Sequence, residues 1–262
     1  MTDPNPQPAT PAPLDAVVLA AGKGTRMKSD LPKVVHEVGG RPMVHWVLDA
    51  ARAAGAERLI VVVGYRAELV REALAGADDV EFVEQTEQLG TGHAVMQAEP
   101  HFAEAAPRDV LVLAGDMPLL RNRTLIDLVE AHRRSGAAAS LASGRLTDPT
   151  GYGRIIRDAA GAFTHIVEQK DASAEQLAVD EVNVSCYCFA AADLFEALKQ
   201  VNTDNAQGEF YVTDVLGLLR EAGRPIIAEP MVPADEVEGI NNVEQLARVD
   251  AMLRQRVGEE AA

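Results

Sequence analysis

The 262-residue chain is 47% hydrophobic and 24% charged, proportions that suit a soluble globular protein with a real core. Its formal net charge of −16 sets the surface as a whole against nucleic acid and anionic membranes, so neither is expected as a partner. A phosphate-bearing small molecule must then be drawn in by a local basic patch or a metal ion.

The stretch Met1 to Pro13 is rich in Pro, Thr and Ala, with neither a basic nor an apolar block of the kind a signal peptide needs. It reads as a disordered tail. Leu14 to Ala20 is apolar but for Asp15, the pattern of a strand buried on both faces. Alternating segments follow: helix at Met43 to Ala54, strand at Arg58 to Val63, helix at Ala67 to Leu74, strand at Val80 to Val83. Next come a helix at Thr91 to Ala98, a buried strand at Asp109 to Ala114 and a helix at Leu120 to Ser135. Strands alternating with helices predict a mostly parallel sheet whose ligands sit beyond the carboxyl ends of its strands.

From Ala137 onward strands dominate, at Ala137 to Arg145, Arg154 to Arg157, Phe163 to Glu168 and Val182 to Phe189. They predict a smaller, partly antiparallel extension that walls in a second substrate. Helices return at Ala192 to Gln200 and Tyr211 to Ala222, then a strand at Ile226 to Glu229 and a helix at Val243 to Arg256. The expected fold is a Rossmann-like α/β domain over residues 14–256, with tails at 1–13 and 257–262. No apolar run is long enough to span a bilayer. The two cysteines, Cys186 and Cys188, alternate onto one face of a strand, a poor geometry for a mutual disulfide. They read as small core residues in a reducing cytoplasm, the expected location.

Four segments carry chemistry. Leu19-Ala20-Ala21-Gly22-Lys23-Gly24-Thr25-Arg26 closes at Pro32-Lys33. Small residues let backbone N–H groups approach a phosphate, and Arg26 and Lys33 supply a forked and a point cation. The loop is neither the dinucleotide fingerprint nor a Walker A motif. Gln85 to Ala94 offers a carboxamide that pairs donor with acceptor, as a uracil edge requires. Gly90 there allows close approach to a flat base, and Thr91 is placed to cap the next helix. Asp116, in Ala114-Gly115-Asp116, sits at the end of a buried strand, suited to Mg²⁺ or to a helix cap. Asn241 offers a second oxygen, although on its own the cap of the last helix is the better reading of it. Gly153, Glu168 and Asn183 are polar or open positions at neighbouring strand ends, as a sugar site needs.

Taken together, these segments resemble the uridyltransferase domain of bacterial N-acetylglucosamine-1-phosphate uridyltransferases, within the sugar nucleotidyltransferase superfamily. The likeness covers Leu14 to Arg248 and includes Gly151-Tyr152-Gly153-Arg154-Ile155 and Asn205-Ala206-Gln207-Gly208-Glu209. It implies Mg²⁺-dependent transfer from UTP to N-acetylglucosamine 1-phosphate, giving pyrophosphate and a nucleotide-sugar used as a peptidoglycan precursor. Leu19, Ala20, Ala21, Gly22 and Lys33 would contact the nucleotide, and Gln85, Gly90 and Thr91 would read uracil. Asp116 and Asn241 would hold the metal, Arg26 would sit on the phosphates, and Gly153, Glu168 and Asn183 would hold the amino sugar. Three departures stand out. Ala114 replaces a common aromatic residue, Val184-Ser185 replace Thr-Gly, and the acetyltransferase β-helix of the family is expected to be missing. Acetyl transfer is therefore not expected, and a monomer or small homo-oligomer is. The alternatives are the same chemistry on another sugar 1-phosphate, such as glucose 1-phosphate, and a non-catalytic nucleotide-sugar-binding module.

Overall fold

A computed structural model of the chain describes residues 11–103 and 107–260. The expected amino-terminal tail lies outside the described residues as far as Thr10. Ala12 and Pro13, assigned to it, are held in place: the Ala12 carbonyl accepts from Arg133 and the Pro13 carbonyl from the N–H of Asp109.

In chain order the elements are β1 (Leu14–Ala20), β2 (Glu37–Val38), β3 (Arg41–Pro42), α1 (Met43–Ala53), β4 (Ala56–Val63), α2 (Ala67–Ala73) and β5 (Val80–Glu84). Then come α3 (Thr91–Met96), β6 (Asp109–Ala114), α4 (Asn122–Ser135), β7 (Ala139–Arg145), β8 (Arg154–Arg157) and β9 (Phe163–Val167). The chain closes with α5 (Ala174–Leu177), β10 (Glu181–Ala190), α6 (Ala191–Leu198), α7 (Asp214–Glu221), β11 (Ile226–Val232) and α8 (Val243–Glu260).

Among the described residues, nine strands form one mixed sheet. Its main path runs β11-β7-β10-β6-β1-β4-β5, with β8 pairing β10 and β9. The apolar runs occupy its centre: β1 lies between β4 and β6, parallel to both, and is buried at every position but Leu19. Alternation sends Ala16 and Val18 to one face and Val17 to the other, and a separate apolar layer covers each face. Leu48 of α1, Leu125 of α4 and Leu253 of α8 belong to the first layer. Val95 of α3, Leu194 of α6 and Val215 of α7 belong to the second. The result is helix on sheet on helix. Cys186 and Cys188 both lie in the first layer, buried and unbonded.

Strands β7 and β10 join the main sheet, with β10 antiparallel to both β6 and β7. Only the β8–β9 pair projects as the smaller extension. Two predicted bounds move. The last helix runs to Glu260, four residues into the expected carboxyl-terminal tail. The helix after Ala174 was not anticipated, although Ser173 and Gln176 form a reciprocal capping box at its start.

Candidate active site

Beyond the carboxyl ends of β1 and β6 lies a cavity of about 500 Å³. Every candidate nucleotide, metal and sugar residue from the sequence lines it except Gly153. The sheet explains the convergence. Because β1 and β6 are parallel neighbours, the loops that leave Ala20 and Ala114 emerge side by side, and the Gly115 N–H donates to the Leu19 carbonyl at 3.0 Å. A Cβ on Gly115 would stand 2.8 Å from that oxygen, so only glycine lets the strand ends close up.

The glycine loop is shaped by different demands at its two glycines. Gly24 has φ +65°, and a Cβ there would lie 2.7 Å from Cβ of Lys33, so this glycine lets the loop pack on the lysine. Gly22 has no heavy atom within 4 Å of where its Cβ would be. Its open side, in a residue that lines the cavity, leaves room for a ligand atom to approach the backbone.

Facing the loop is a cluster of two cations and two oxygens. The Lys33 ammonium donates to Oδ2 of Asp116 and, at 3.1 Å, to Oδ1 of Asn241. Arg26 donates to the same Asn241 oxygen at 2.9 Å. Asp116 and Asn241 are 125 positions apart in sequence and are tied by the Ile240 N–H, which donates to the Asp116 carbonyl. The Asn241 loop is anchored by Glu236, which is 1% exposed. Its carboxylate accepts from the Arg121 N–H and the Thr124 hydroxyl, satisfying the start of α4 from across the molecule. Asn242, not Asn241, accepts the Gln245 N–H at the start of α8. The capping alternative thus passes to the next residue, and the Asn241 side chain is left to the cluster.

Among the described residues no group of three or more His, Cys, Asp and Glu side chains is placed to hold a metal. One carboxylate and one amide oxygen nevertheless converge on a single cationic atom, Nζ of Lys33, at the cavity wall. That sparse oxygen set fits Mg²⁺, which takes one or two protein oxygens and completes its shell with phosphate and water.

On the opposite wall, Gln85 is 3% exposed. Its Nε2 donates to the Gly90 carbonyl at 3.0 Å and lies 3.1 Å from Nδ1 of His93. The bond to the Gly90 carbonyl fixes the amide so that Oε1 is left as an acceptor. His93 was not singled out from the sequence; as the partner of Gln85 it shows only in three dimensions. Gly90 has φ +114°, and a Cβ there would meet the Phe210 carbonyl oxygen at 2.5 Å. The close approach that requires glycine is therefore to the protein's own backbone, where the Phe210 N–H donates to the Leu89 carbonyl. Thr91 is the first residue of α3 rather than its cap; its hydroxyl accepts the Val212 N–H at 3.1 Å.

At the far end, Asn183 is 7% exposed and its Oδ1 accepts from the Tyr187 hydroxyl at 2.9 Å. Gly153 stands behind the wall: its carbonyl accepts the Asn183 N–H, and a Cβ there would lie 3.3 Å from both Glu168 carboxylate oxygens. Burial pushes the Glu168 carboxyl above its ordinary range, and the nearby Asp171 and Asp214 charges add to the shift. A segment whose function the sequence left open joins these two ends. Gln207 donates to the Tyr211 hydroxyl and accepts from Lys170, while the Ala206 N–H donates to Asp171. The loop around Asn205 to Glu209 thus spans from the Gly90 turn to the Glu168 turn, and Gln207, Glu209, Tyr211 and Thr213 line the cavity.

Residues 16–211 match the sequence profile of the MobA-like NTP transferase domain. The chain belongs to this family. It is a nucleotidyltransferase, and its relatives include the bifunctional protein GlmU of Pelobacter propionicus, 48% identical over 245 residues. A second, GlmU of Geobacter metallireducens, is 48% identical over 247 residues. These alignments cover 94% of this chain and 53% and 52% of the relatives, so the chain spans about half the length of the curated relatives it matches. UDP-glucose pyrophosphorylase, solved with UDP-glucose, has the same fold. It superposes with a TM-score of 0.75 at 19% identity, over 94% of this chain and 99% of that one. Among the described residues no helix is long and apolar enough to cross a membrane.

Proposed function

We propose that the chain transfers a uridylyl group from UTP to N-acetylglucosamine 1-phosphate, yielding UDP-N-acetylglucosamine and pyrophosphate with Mg²⁺ as cofactor. The observation that carries this reading is the convergence of Arg26, Lys33, Asp116 and Asn241 on one wall of a cavity whose other walls hold Gln85 and the Glu168–Asn183 pair. The 48% identity to bifunctional GlmU proteins favours the uridylyl and amino-sugar pair over other substrates of the family.

The reaction needs no nucleophile from the protein. An oxygen of the sugar phosphate attacks the α-phosphorus of UTP; a new P–O bond forms as the bond to the β-phosphate bridging oxygen breaks, and pyrophosphate leaves with that electron pair. Asp116 and Asn241 would hold Mg²⁺, which offsets phosphate charge. Lys33 lies against both oxygens and Arg26 against that of Asn241, where they stabilise the charge that moves onto pyrophosphate. The open Gly22 backbone receives phosphate oxygens. Gln85 Oε1 accepts the N3–H of uracil, a hydrogen bond that the unprotonated N3 of cytosine does not supply. Glu168 accepts from a sugar hydroxyl or amide group, and the Asn183 amide nitrogen donates to a sugar oxygen, its Oδ1 being already taken by Ser185 and Tyr187.

Pyrophosphate release with Mg²⁺ tests the reading when UTP, CTP, GTP and dTTP are crossed with N-acetylglucosamine 1-phosphate, glucosamine 1-phosphate and glucose 1-phosphate. Turnover should be confined to UTP with the acetylated sugar. Preference for glucose 1-phosphate would move the substrate, and silence with UTP still bound would leave a nucleotide-binding module.

A further inference from the structure

Three non-glycine residues in the described structure have left-handed backbone: Lys28, Arg66 and Ser185. Lys28 and Arg66 are exposed and flank short helical turns. Ser185 is different. It lies inside β10, between two partner strands, at φ +51°. Glycine takes this conformation without the steric cost that a Cβ brings.

The strand is deformed around it. From Asn183 to Tyr187 the chain advances four residues, while its partner β7 advances only from Ser143 to Leu141. Every residue from Glu181 to Phe189 is buried except Ser185, and the opening there is the cavity, which Ser185 lines. Pairing of β10 with β6 ends with Cys186 opposite Leu113, so Ser185 and Ala114 are the next residues beyond it on the two strands. Both line the cavity, as do Asn183 and Glu168. The Ser185 N–H donates to Asn183 Oδ1, the atom that also receives the Tyr187 hydroxyl.

A strained residue held in an interior strand at a ligand cavity marks a site where shape is under demand. We infer that Ser185 is a specificity-determining residue, whose side chain limits the size of the acyl group on C2 of the bound amino sugar. Its Cβ, fixed by the left-handed backbone, occupies space at the Asn183 end of the cavity that a glycine would leave open, and Ala114 beside it is another small lining residue. The inference rests on the amino-sugar reading above.

The test uses the whole chain with UTP and three 2-acylamino-glucose 1-phosphates carrying acetyl, propanoyl and butanoyl groups, measured as kcat/KM. Ser185→Gly should raise the butanoyl-to-acetyl ratio by about tenfold or more, the scale of one or two methylenes in a fitted pocket. It should also melt about 2–4 °C higher, because the left-handed strain is relieved. Ser185→Ala, which keeps the Cβ and the strain, should hold the wild-type ratio within about twofold. A butanoyl-to-acetyl ratio unchanged in Ser185→Gly, or relaxed equally in Ser185→Ala, overturns the size limit while leaving the amino-sugar reading intact. No wild-type turnover of any acylated sugar, with turnover of glucose 1-phosphate, overturns that reading and this inference with it.

Discussion

The two ends of the central sheet carry the same chemical parts and put them to different uses. At its amino end, Asp15 of β1 is fully buried and accepts from Arg58 and Arg108, each through two nitrogens. Asp109 of β6 accepts from Arg133, with His132 3.6 Å away and His132 in turn 2.9 Å from the Ser140 hydroxyl. At the carboxyl end, Asp116 and Lys33 keep 17% and 18% of their side chains exposed, and they face the cavity. Asp15 has its lone pairs filled from within the protein, whereas Asp116 stands where a ligand can reach it. What separates a stabilising ion cluster from a candidate catalytic one here is access, not residue type. Even the Ser140–His132–Asp109 chain, whose residue types suit a hydrolase, is buried at all three positions.

That contrast is broken most sharply by matched substitutions. Asp116→Ala should lower kcat by about 10³ or more, the scale of removing a main charge-stabilising group, with a melting midpoint near wild type. Asp15→Ala should do the reverse. Leaving Arg58 and Arg108 around an empty site costs about 3–5 kcal/mol and roughly 10 °C, with kcat unchanged in the folded fraction. Steady-state kinetics beside thermal melts decide the matter; an Asp116→Ala enzyme with wild-type kcat would remove the metal assignment.

The second effect is on pH dependence. Burial alone would raise the Asp15 carboxyl, but hydrogen bonds and charge from Arg58 and Arg108 override it and hold the group below its ordinary value. A carboxyl depressed in the folded state contributes stability above its unfolded pKa and loses it as pH falls through the folded value. The urea midpoint of wild type should therefore exceed that of Asp15→Asn at about pH 7, and the gap should shrink at about pH 3. An equal gap at both values would mean that packing rather than charge holds this end together.

The smallest expected effect concerns Glu168. Its carboxyl is raised by burial, with Asp171 and Asp214 adding to the shift, so the folded state favours the protonated form and ionisation at neutral pH costs stability. Glu168→Gln should then melt about 1–2 °C higher near neutral pH and lower kcat/KM for the sugar phosphate by about tenfold. A lower melting midpoint would show that the carboxylate is better solvated than its surroundings suggest.

Legibility in the sequence followed the range of the interactions involved. The apolar runs over residues 16–20 and 110–114 announced buried parallel strands, because both faces of such strands are covered and, past Asp15 and Asp109 at their amino ends, no polar alternation interrupts them. The β2–β3 ribbon stayed hidden, since two-residue strands carry no period to read. The site residues were legible as types and spacings, yet three of their local reasons were not. The helix-cap alternative for Asn241 belongs to Asn242, Gly90 makes room for Phe210, and Thr91 receives the Val212 N–H. Each of these hinges on a segment's exact register at its end or on a partner more than a hundred residues away.

The sequence by itself determined the α/β class, the order of the main-sheet strands and the larger helices, and a set of residues suited to phosphate, a metal ion, a base and a sugar. Periodicity and small local motifs encode those things within a few residues of chain. Only the tertiary structure decided that Arg26, Lys33, Asp116 and Asn241 share one wall, that Glu236 braces it, and that Ser185 deforms an interior strand at the cavity. Those facts depend on which strands lie side by side, and that is set by the burial of two apolar faces at once, a property of the whole sheet.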